Sequence, residues 1–386
     1  MAIVNSIAAS AEEMTGWRHH LHRNPELGLD CFRTAAFIVE RLKDFGITEI
    51  HQGIARSGLV AIVEGREPGR TIGLRADMDA LPMEDLSGTD HASTVPGLAH
   101  TCGHDGHTTM LLGAAKYLAE TRNFKGRVAL IFQPAEENEG GGRIMVEEGI
   151  MDRFAIEEVY GIHNSPGLPE GTLNTNPGPL LAGVDEFTVT ITGVGGHGAQ
   201  PHATRDPVVA AASTVMALQT ILSRNVDALD RVILSVTQIH TGSAMNIVPE
   251  SAVLNGTVRY YDKAVQEGVK ARMAEVVEFQ ARSFGQSAVL DYVEGYPPTI
   301  NHPDQAAFAC AVAREVLGAD KVDADTPPIM PGEDFAYMLQ ARPGAYLFLG
   351  QGDTPSCHHP QYDFNDRIAP IGASFFARLV EKALPL

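Results

Sequence analysis

The chain has 386 residues, 44% of them hydrophobic, and a formal net charge of -19. A chain of this length buries a large core in two or three domains, and its acidic balance excludes nucleic acid and anionic membrane as partners, since both need a basic face. No apolar run approaches the roughly 20 residues that span a bilayer, and the N-terminus lacks the basic flank and apolar centre of an export signal, so a cytoplasmic protein of small ligands is expected.

In chain order, a helical stretch ends near HRNPE, and an amphipathic segment over 32–45 leads into two β-rich runs, GLVAIVEG and RTIGLRADMDAL. TTMLLGAAKYLAE has the apolar spacing of a helix packed on a sheet. RVALIFQP reads as a buried strand, GGRIMVEEGIM as one helix and IEEVYGIHN as a further strand. This alternation is α/β. The loop over 165–183 is dense in Gly, Pro and Asn and marks a domain boundary. Beyond it, DEFTVTITG alternates as a half-exposed strand does, and a helix follows from about Pro207 to Leu222. Then come RVILSVTQIH, ESAVLNGTVRYY, a long helix to about Phe284 and SAVLDYVEG. The order β-α-β-β-α-β fits a small ferredoxin-like sheet with its helices on one face. The expected organisation is an α/β catalytic domain over 1–182 and 295–386, with an inserted α+β domain over 183–294.

Five segments loaded with chemistry fall after predicted strands, where open α/β sheets place their ligands: RADMDAL, HTCGHDGH, QPAEENEGG, GIHN and SCHHPQYDFND. Each alone has a plain reading, since a strand-end His is more often a hydrogen-bonded loop residue and a Glu-Glu pair a solvated turn. Together they point to a metal. Cys102 and His104 alternate, so in an extended loop both face one ion; Glu137, His163 and His358 each lie just beyond a strand or in a loop. A thiolate, three imidazoles and a carboxylate suit Zn, Mn, Ni or Co far better than Ca or Mg, and five donors make two ions credible, with Cys102 or a carboxylate near the bridging position. Glu136, aimed away from Glu137, is left to take a proton from the attacking water.

The rival reading makes Cys102 a nucleophile with His104 or His107 as its base, but it leaves the Glu pair and the remote His163 and His358 without a task. The string GVGGHG places Gly193, Gly195 and Gly198 at dinucleotide-fingerprint spacing, yet AQPH stands where a helix should begin, and no acidic residue ends a second strand at the required distance. His19, His20 and His22 read as a solvated helix face, Asp105 as a helix cap and His107 as a supporting residue. The four cysteines are too few and scattered for a disulfide framework, and Cys31 and Cys310 read as packing.

The strings GLRADMDALPMED, AHTCGHDGHTTMLLGAAKYL, FQPAEENEGGG, GIHN, GVGGHGAQPH, NIVPE, GTVR, PGEDFAYML and HHPQYDFND carry a resemblance that spans nearly the whole chain. In that order they resemble the amidohydrolase branch of the aminoacylase and glutamate carboxypeptidase superfamily, which includes hippurate hydrolases, N-acyl-amino-acid amidohydrolases and hydrolases of indole-acetyl amino acids. The resemblance implies a di-metal, zinc-peptidase-like catalytic domain and an inserted lid that makes a homodimer or a higher homo-oligomer. It implies Cys102, His104, Glu137, His163 and His358 as metal ligands, Glu136 as general base and Asp79 as the residue that orients a ligand. The family pattern of a single His two positions before Pro selects His358 over His359. In the lid it implies Arg259 and Asn246 at the substrate carboxylate, and His197 reaching across the dimer to the oxyanion. The expected activity is metal-dependent hydrolysis of the amide in small N-acyl amino acids; the alternatives are a metallo-exopeptidase acting on dipeptides and a thiol hydrolase using Cys102.

Overall fold

Unbroken apolar runs such as Arg127–Gln133 (RVALIFQ) and Gly344–Gly352 (GAYLFLGQG) belong inside a sheet covered on both faces, and almost every residue of both strands is buried. The structure, a computed structural model that describes residues 3–386, places them in an eight-stranded mixed sheet. In spatial order the strands are Glu49–Ile54, Gly58–Glu64, Arg127–Gln133, Thr71–Asp77, Ile156–Pro166, Gly344–Gly352, Leu173–Asn174 and Val322–Asp323. Thr71–Asp77 pairs in parallel with Arg127–Gln133 on one side and Ile156–Pro166 on the other, and Gly344–Gly352 continues the parallel run. Four strands therefore deliver the segments that follow them to one edge of the sheet. Helix His104–Thr121 lies against helices Ala11–Arg23 and Ala369–Ala383, with Met14, Met110, Leu111 and Phe375 in a shared buried core.

The chain divides into two compact units. The first holds this sheet and consists of the chain up to Leu180 with Thr299–Pro328 and Glu333–Leu386; the second is Leu181–Pro298 with Ile329–Gly332. In the second unit the strands stand in the order Ile233–Thr241, Ser251–Tyr260, Gly183–Thr192, Ser287–Glu294, every pair antiparallel. Helices Pro207–Arg224 and Lys263–Ser283 share a core with this sheet through residues such as Ala211, Leu218, Val269 and Met273. Both helices begin on an aspartate cap: Asp206 accepts from Val208 N at 2.8 Å, and Asp262 from Ala264 N at 2.7 Å. Chain order and sheet order together are those of a ferredoxin-like unit, as its strand and helix periodicity predicts.

Three local expectations fail for identifiable reasons. GGRIMVEEGIM forms two short helices, Gly141–Glu147 and Ile150–Arg153, because Gly149 takes φ 80°, which no α-helix can continue through. His22 is buried rather than solvated: its Nδ1 lies 2.8 Å from Asp105 Oδ2, and Arg18 Nη1 lies 3.6 Å from the same oxygen. Asp105 accordingly sits inside the first turn of its helix as the acceptor of this ion pair, and Gly103 holds the cap position.

The sheet also buries a cation. Arg75, only 2% exposed, donates from Nη1 to Asp77 Oδ2 at 2.7 Å and from Nη2 to Glu333 Oε1 at 2.9 Å and Asp334 Oδ1 at 3.0 Å. Arg75→Met would leave three buried carboxylates without this partner, and the expected loss is on the order of 3–5 kcal/mol of unfolding free energy. Urea unfolding of the variant, with an unchanged slope and a lower midpoint, checks this.

Candidate metal centre

The site is assembled from the ends of the parallel strands. Asp77 closes strand Thr71–Asp77, and Asp79 follows two residues later. Strand Arg127–Gln133 leads into Glu136 and Glu137, and His163 lies inside strand Ile156–Pro166 rather than beyond it. Cys102 and His104 do not share an extended loop, as their alternation suggested: His104 opens helix His104–Thr121, and Gly103 between them takes φ 95°. A Cβ at Gly103 would fall 2.2 Å from Asn164 Oδ1 and 2.5 Å from Tyr362 OH, so only glycine makes this turn. Two non-glycine residues at the site are also left-handed, Ala135 at φ 58° and His358 at φ 64°. Such strain costs about 1–3 kcal/mol each and persists where the surroundings over-determine it.

The structure brings all five expected ligands together. Cys102, His104 and His163 form one set whose donor atoms lie within 4.8 Å of one another; Cys102, Glu137 and His358 form a second, and His104, Glu136 and Glu137 a third. Cys102 is common to the first two. Glu136 and Glu137 diverge less than their adjacency in sequence suggested, since Glu136 Oε2 is 3.9 Å and Glu137 Oε1 3.8 Å from the same His104 Nε2. His359 is exposed, and its Nδ1 accepts from Gln361 N at 3.1 Å.

Asp79 holds this arrangement from behind. Its Oδ1 lies 3.2 Å from His104 Nδ1 and its Oδ2 accepts from Glu137 N at 3.2 Å, so one carboxylate orients two donors and turns His104 Nε2 toward the others. His163 Nδ1 lies 2.6 Å from the Asn164 carbonyl, which leaves Nε2 facing Cys102 Sγ at 3.5 Å.

A divalent transition metal fits this set. His104 Nε2 is buried without a hydrogen-bond partner, and Glu137 Oε1 faces His358 Nε2 at 3.2 Å. The nearest acceptors to His104 Nε2 stand at 3.7–3.9 Å, too far to bond it directly and close to the separation of donors placed around one ion. Six carboxylates, on Asp77, Asp79, Glu136, Glu137, Glu333 and Asp334, crowd a region whose buried guanidinium is Arg75, a surplus of negative charge that calls for a cation. Burial, with the charges of Glu333, Glu137 and Asp334, pushes the Glu136 carboxyl well above the ordinary range. Burial opposes charge on His104 too, but Asp77 and Asp79 outweigh it and raise its proton affinity.

Two other acidic or imidazole groupings are committed to the protein itself. His107 places Nδ1 2.6 Å from Asp77 Oδ1 and Nε2 2.6 Å from Asn164 Oδ1. Asp334 accepts from Gln133 Nε2 at 2.7 Å and Gly142 N at 2.7 Å, and Glu333 from the Tyr346 hydroxyl, besides Arg75. Sequence reasoning missed Arg75, Asp77, Glu333, Asp334 and Asn164 as parts of the centre. The signal for the first four was present in the RADMDAL and PGEDFAYML strings, which place charged residues in otherwise apolar runs; Asn164 ends the GIHN string.

The remaining expected site residues lie in the second unit. His197 and Asn246 come together there: strand Gly196–His197 pairs with Ile247–Val248, and Gly198 N donates to the Asn246 carbonyl at 2.8 Å. Arg259 stands on strand Ser251–Tyr260, between Val184 and Ile233 of its neighbours, and donates to the Val258 carbonyl at 3.2 Å and to the Thr257 hydroxyl.

Comparison with known proteins adds a family. Residues 73–382 match Peptidase family M20/M25/M40. The chain is 40% identical over 373 residues to N-acetyl-L-cysteine deacetylase of Bacillus subtilis (strain 168), covering 96% of this chain and 88% of the relative. It is 35% identical over 384 residues to hippurate hydrolase of Campylobacter jejuni, covering 100% of both. The crystal structure of the Bacillus subtilis YXEP protein, described as a dinuclear metal binding peptidase, matches with a TM-score of 0.86 at 30% identity over 98% of this chain and 99% of that one.

The geometry separates two adjacent histidines experimentally. His358→Ala should weaken metal binding by more than the roughly 10–100-fold typical of losing an orienting partner such as Asp79, whereas His359→Ala should leave it unchanged. Calorimetric titration of metal into chelator-stripped protein checks both, and equal losses would reassign the ligand.

Proposed function

The chain belongs to peptidase family M20/M25/M40, and from that premise we propose that it cleaves the amide bond of N-acyl amino acids, with acetyl, benzoyl or related acyl groups. It is a metal-dependent hydrolase of amides. The observation that carries the finer reading is the pair of donor sets sharing Cys102, with Glu136 beside them. Cys102, His104, Glu137, His163 and His358 would hold two divalent ions. The mixed sulfur, nitrogen and oxygen donors favour Zn, Mn, Ni or Co.

When bound, the ions polarise the scissile carbonyl and lower the pKa of water at the site. Glu136 takes the proton of the attacking water on its carboxylate and returns it to the nitrogen of the leaving amine. Asp79 keeps His104 and Glu137 in place while this happens. Arg259 forks onto the free carboxylate of the substrate, Asn246 adds a hydrogen bond, and His197 donates to the developing oxyanion. We assign these three to an inserted lid that makes a homodimer, in which His197 serves the site of the other subunit. Apolar side chains exposed on the second unit, among them Met216, Ile239, Met245 and Phe279, support an interface there. The four cysteines, all free, are in keeping with the reducing cytoplasm. Among the described residues, no helix is long and apolar enough to cross a membrane.

The family name and the YXEP peptidase favour dipeptides as a second substrate class. A panel of acetyl, benzoyl, indole-acetyl and succinyl amino acids run beside dipeptides decides between them: release from the acyl series above the dipeptides is expected. Chelation should abolish all turnover. Glu136→Gln should keep its metal yet lose about a hundredfold or more in kcat, and a parallel loss of metal would make Glu136 a ligand instead.

The shared site has its own test. Mixing inactive His197→Ala with inactive Glu136→Gln subunits should give heterodimers with one complete site and up to about half the parent activity per heterodimer. Verified subunit exchange with no recovery would place His197 outside the partner's site.

A further inference from the structure

We propose that Cys357 and Cys102 form a site of oxidative modification, at which a peroxide joins the two sulfurs in a disulfide and so withdraws Cys102 from the metal-binding set. The proposal rests on the assignment of Cys102 as a metal donor; Cys357 itself has no part in the hydrolytic mechanism.

All four cysteines are free, and three are buried. Cys31 is a core residue whose thiol points at the Gly28 carbonyl, 3.3 Å away, and Cys310 is packed inside helix Pro303–Leu317. Cys357 differs from both in being partly exposed and in having another cysteine as its neighbour. Its Sγ lies 3.7 Å from the Cys102 carbonyl oxygen. The backbone fixes this contact. His358 N donates to the Thr101 carbonyl at 2.8 Å, so the two residues that flank this bond, 102 and 357, are laid side by side. Closing to an S–S bond of about 2.05 Å then asks for rotation of two short side chains whose backbones are already held side by side. His358, the next residue, is also a member of the donor set.

The step balances with a hydroperoxide, ROOH, as oxidant. The more exposed Cys357 is reached first. Its sulfur attacks the peroxide oxygen, an S–O bond forms, the O–O bond breaks, and ROH leaves with the thiol proton, giving a sulfenic acid. The Cys102 sulfur then attacks the Cys357 sulfur; the S–S bond forms, the S–O bond breaks, and hydroxide leaves as water with the Cys102 proton. Two thiols lose two electrons in all, and the peroxide is reduced to ROH and water. A dithiol reductant reverses the reaction by exchange. Because Cys102 belongs to two of the donor sets, the disulfide weakens both at once.

The test uses the full chain, metal-loaded and chelator-stripped, treated with hydrogen peroxide. Remaining thiols are alkylated, peptides are mapped by mass spectrometry, and metal content is measured in parallel. The expected result is a single cross-link between the peptides carrying residues 102 and 357, metal loss in proportion to it, and return of both thiols and metal uptake after dithiothreitol. Cys357→Ser, with Cys357→Ala as a second variant, should bind metal and hydrolyse substrate as the parent does; after peroxide, its Cys102 should pass to sulfinic acid and dithiothreitol should restore nothing. Parent protein whose Cys102 reaches sulfinic acid while Cys357 is still alkylatable overturns the proposal. So does a cross-link that leaves the metal in place. Both readouts are masses and metal contents, so they hold or fail whatever the substrate is.

Discussion

The structure turns on a surplus of buried negative charge at the ends of four parallel strands. Isolated carboxylates do not stay ionised in a protein interior without partners, and here six converge within one layer of side chains. Arg75 answers for part of the surplus by pairing with Asp77, Glu333 and Asp334 from inside the sheet. The rest faces Cys102, His104, His163 and His358, and the natural complement is a metal cation. Asp77 links the two halves: one oxygen takes the Arg75 guanidinium, the other lies 2.6 Å from His107 Nδ1.

Two of the six left-handed non-glycine residues among the described residues stand at the donors. Ala135 immediately precedes Glu136, and His358 is itself a donor; both are left-handed. Each is pinned by backbone hydrogen bonds, Gly141 N to the Ala135 carbonyl at 3.0 Å and His358 N to the Thr101 carbonyl at 2.8 Å. These contacts stop the loops from relaxing into ordinary turns that would carry the carboxylate and the imidazole away. Gly103 does the same work without strain, because it alone can occupy a turn so close to Asn164 and Tyr362.

Cys102 sits at the meeting point of two chemistries. As the member common to both proposed donor sets it would favour borderline-soft ions over hard ones. As a thiol beside Cys357, whose Sγ lies 3.7 Å from the Cys102 carbonyl, it has in the proposed disulfide an oxidation product that is reversible where a sulfinic acid is not. A carboxylate at the same position would give a harder site with no such exit.

The sequence by itself determined the α/β class, the β-α-β-β-α-β order of the second unit and the family, because these rest on local periodicity and on residue strings that survive as written. It also singled out Cys102, His104, Glu137, His163 and His358, since donor types stand out against apolar strands wherever the chain carries them. What it could not supply was direction. The extended loop inferred at Cys102 is a left-handed turn into a helix, His22 is buried because a distant Asp105 receives it, and one helix became two at Gly149. Only the tertiary structure decided that Arg75 and Asp334, 259 positions apart in sequence, share a hydrogen bond, and that Cys102 and Cys357, 255 apart, are neighbours. The physical reason is the same in each case: such contacts are made by the parallel pairing of strands across long crossovers, and no window of local sequence records which ends will meet.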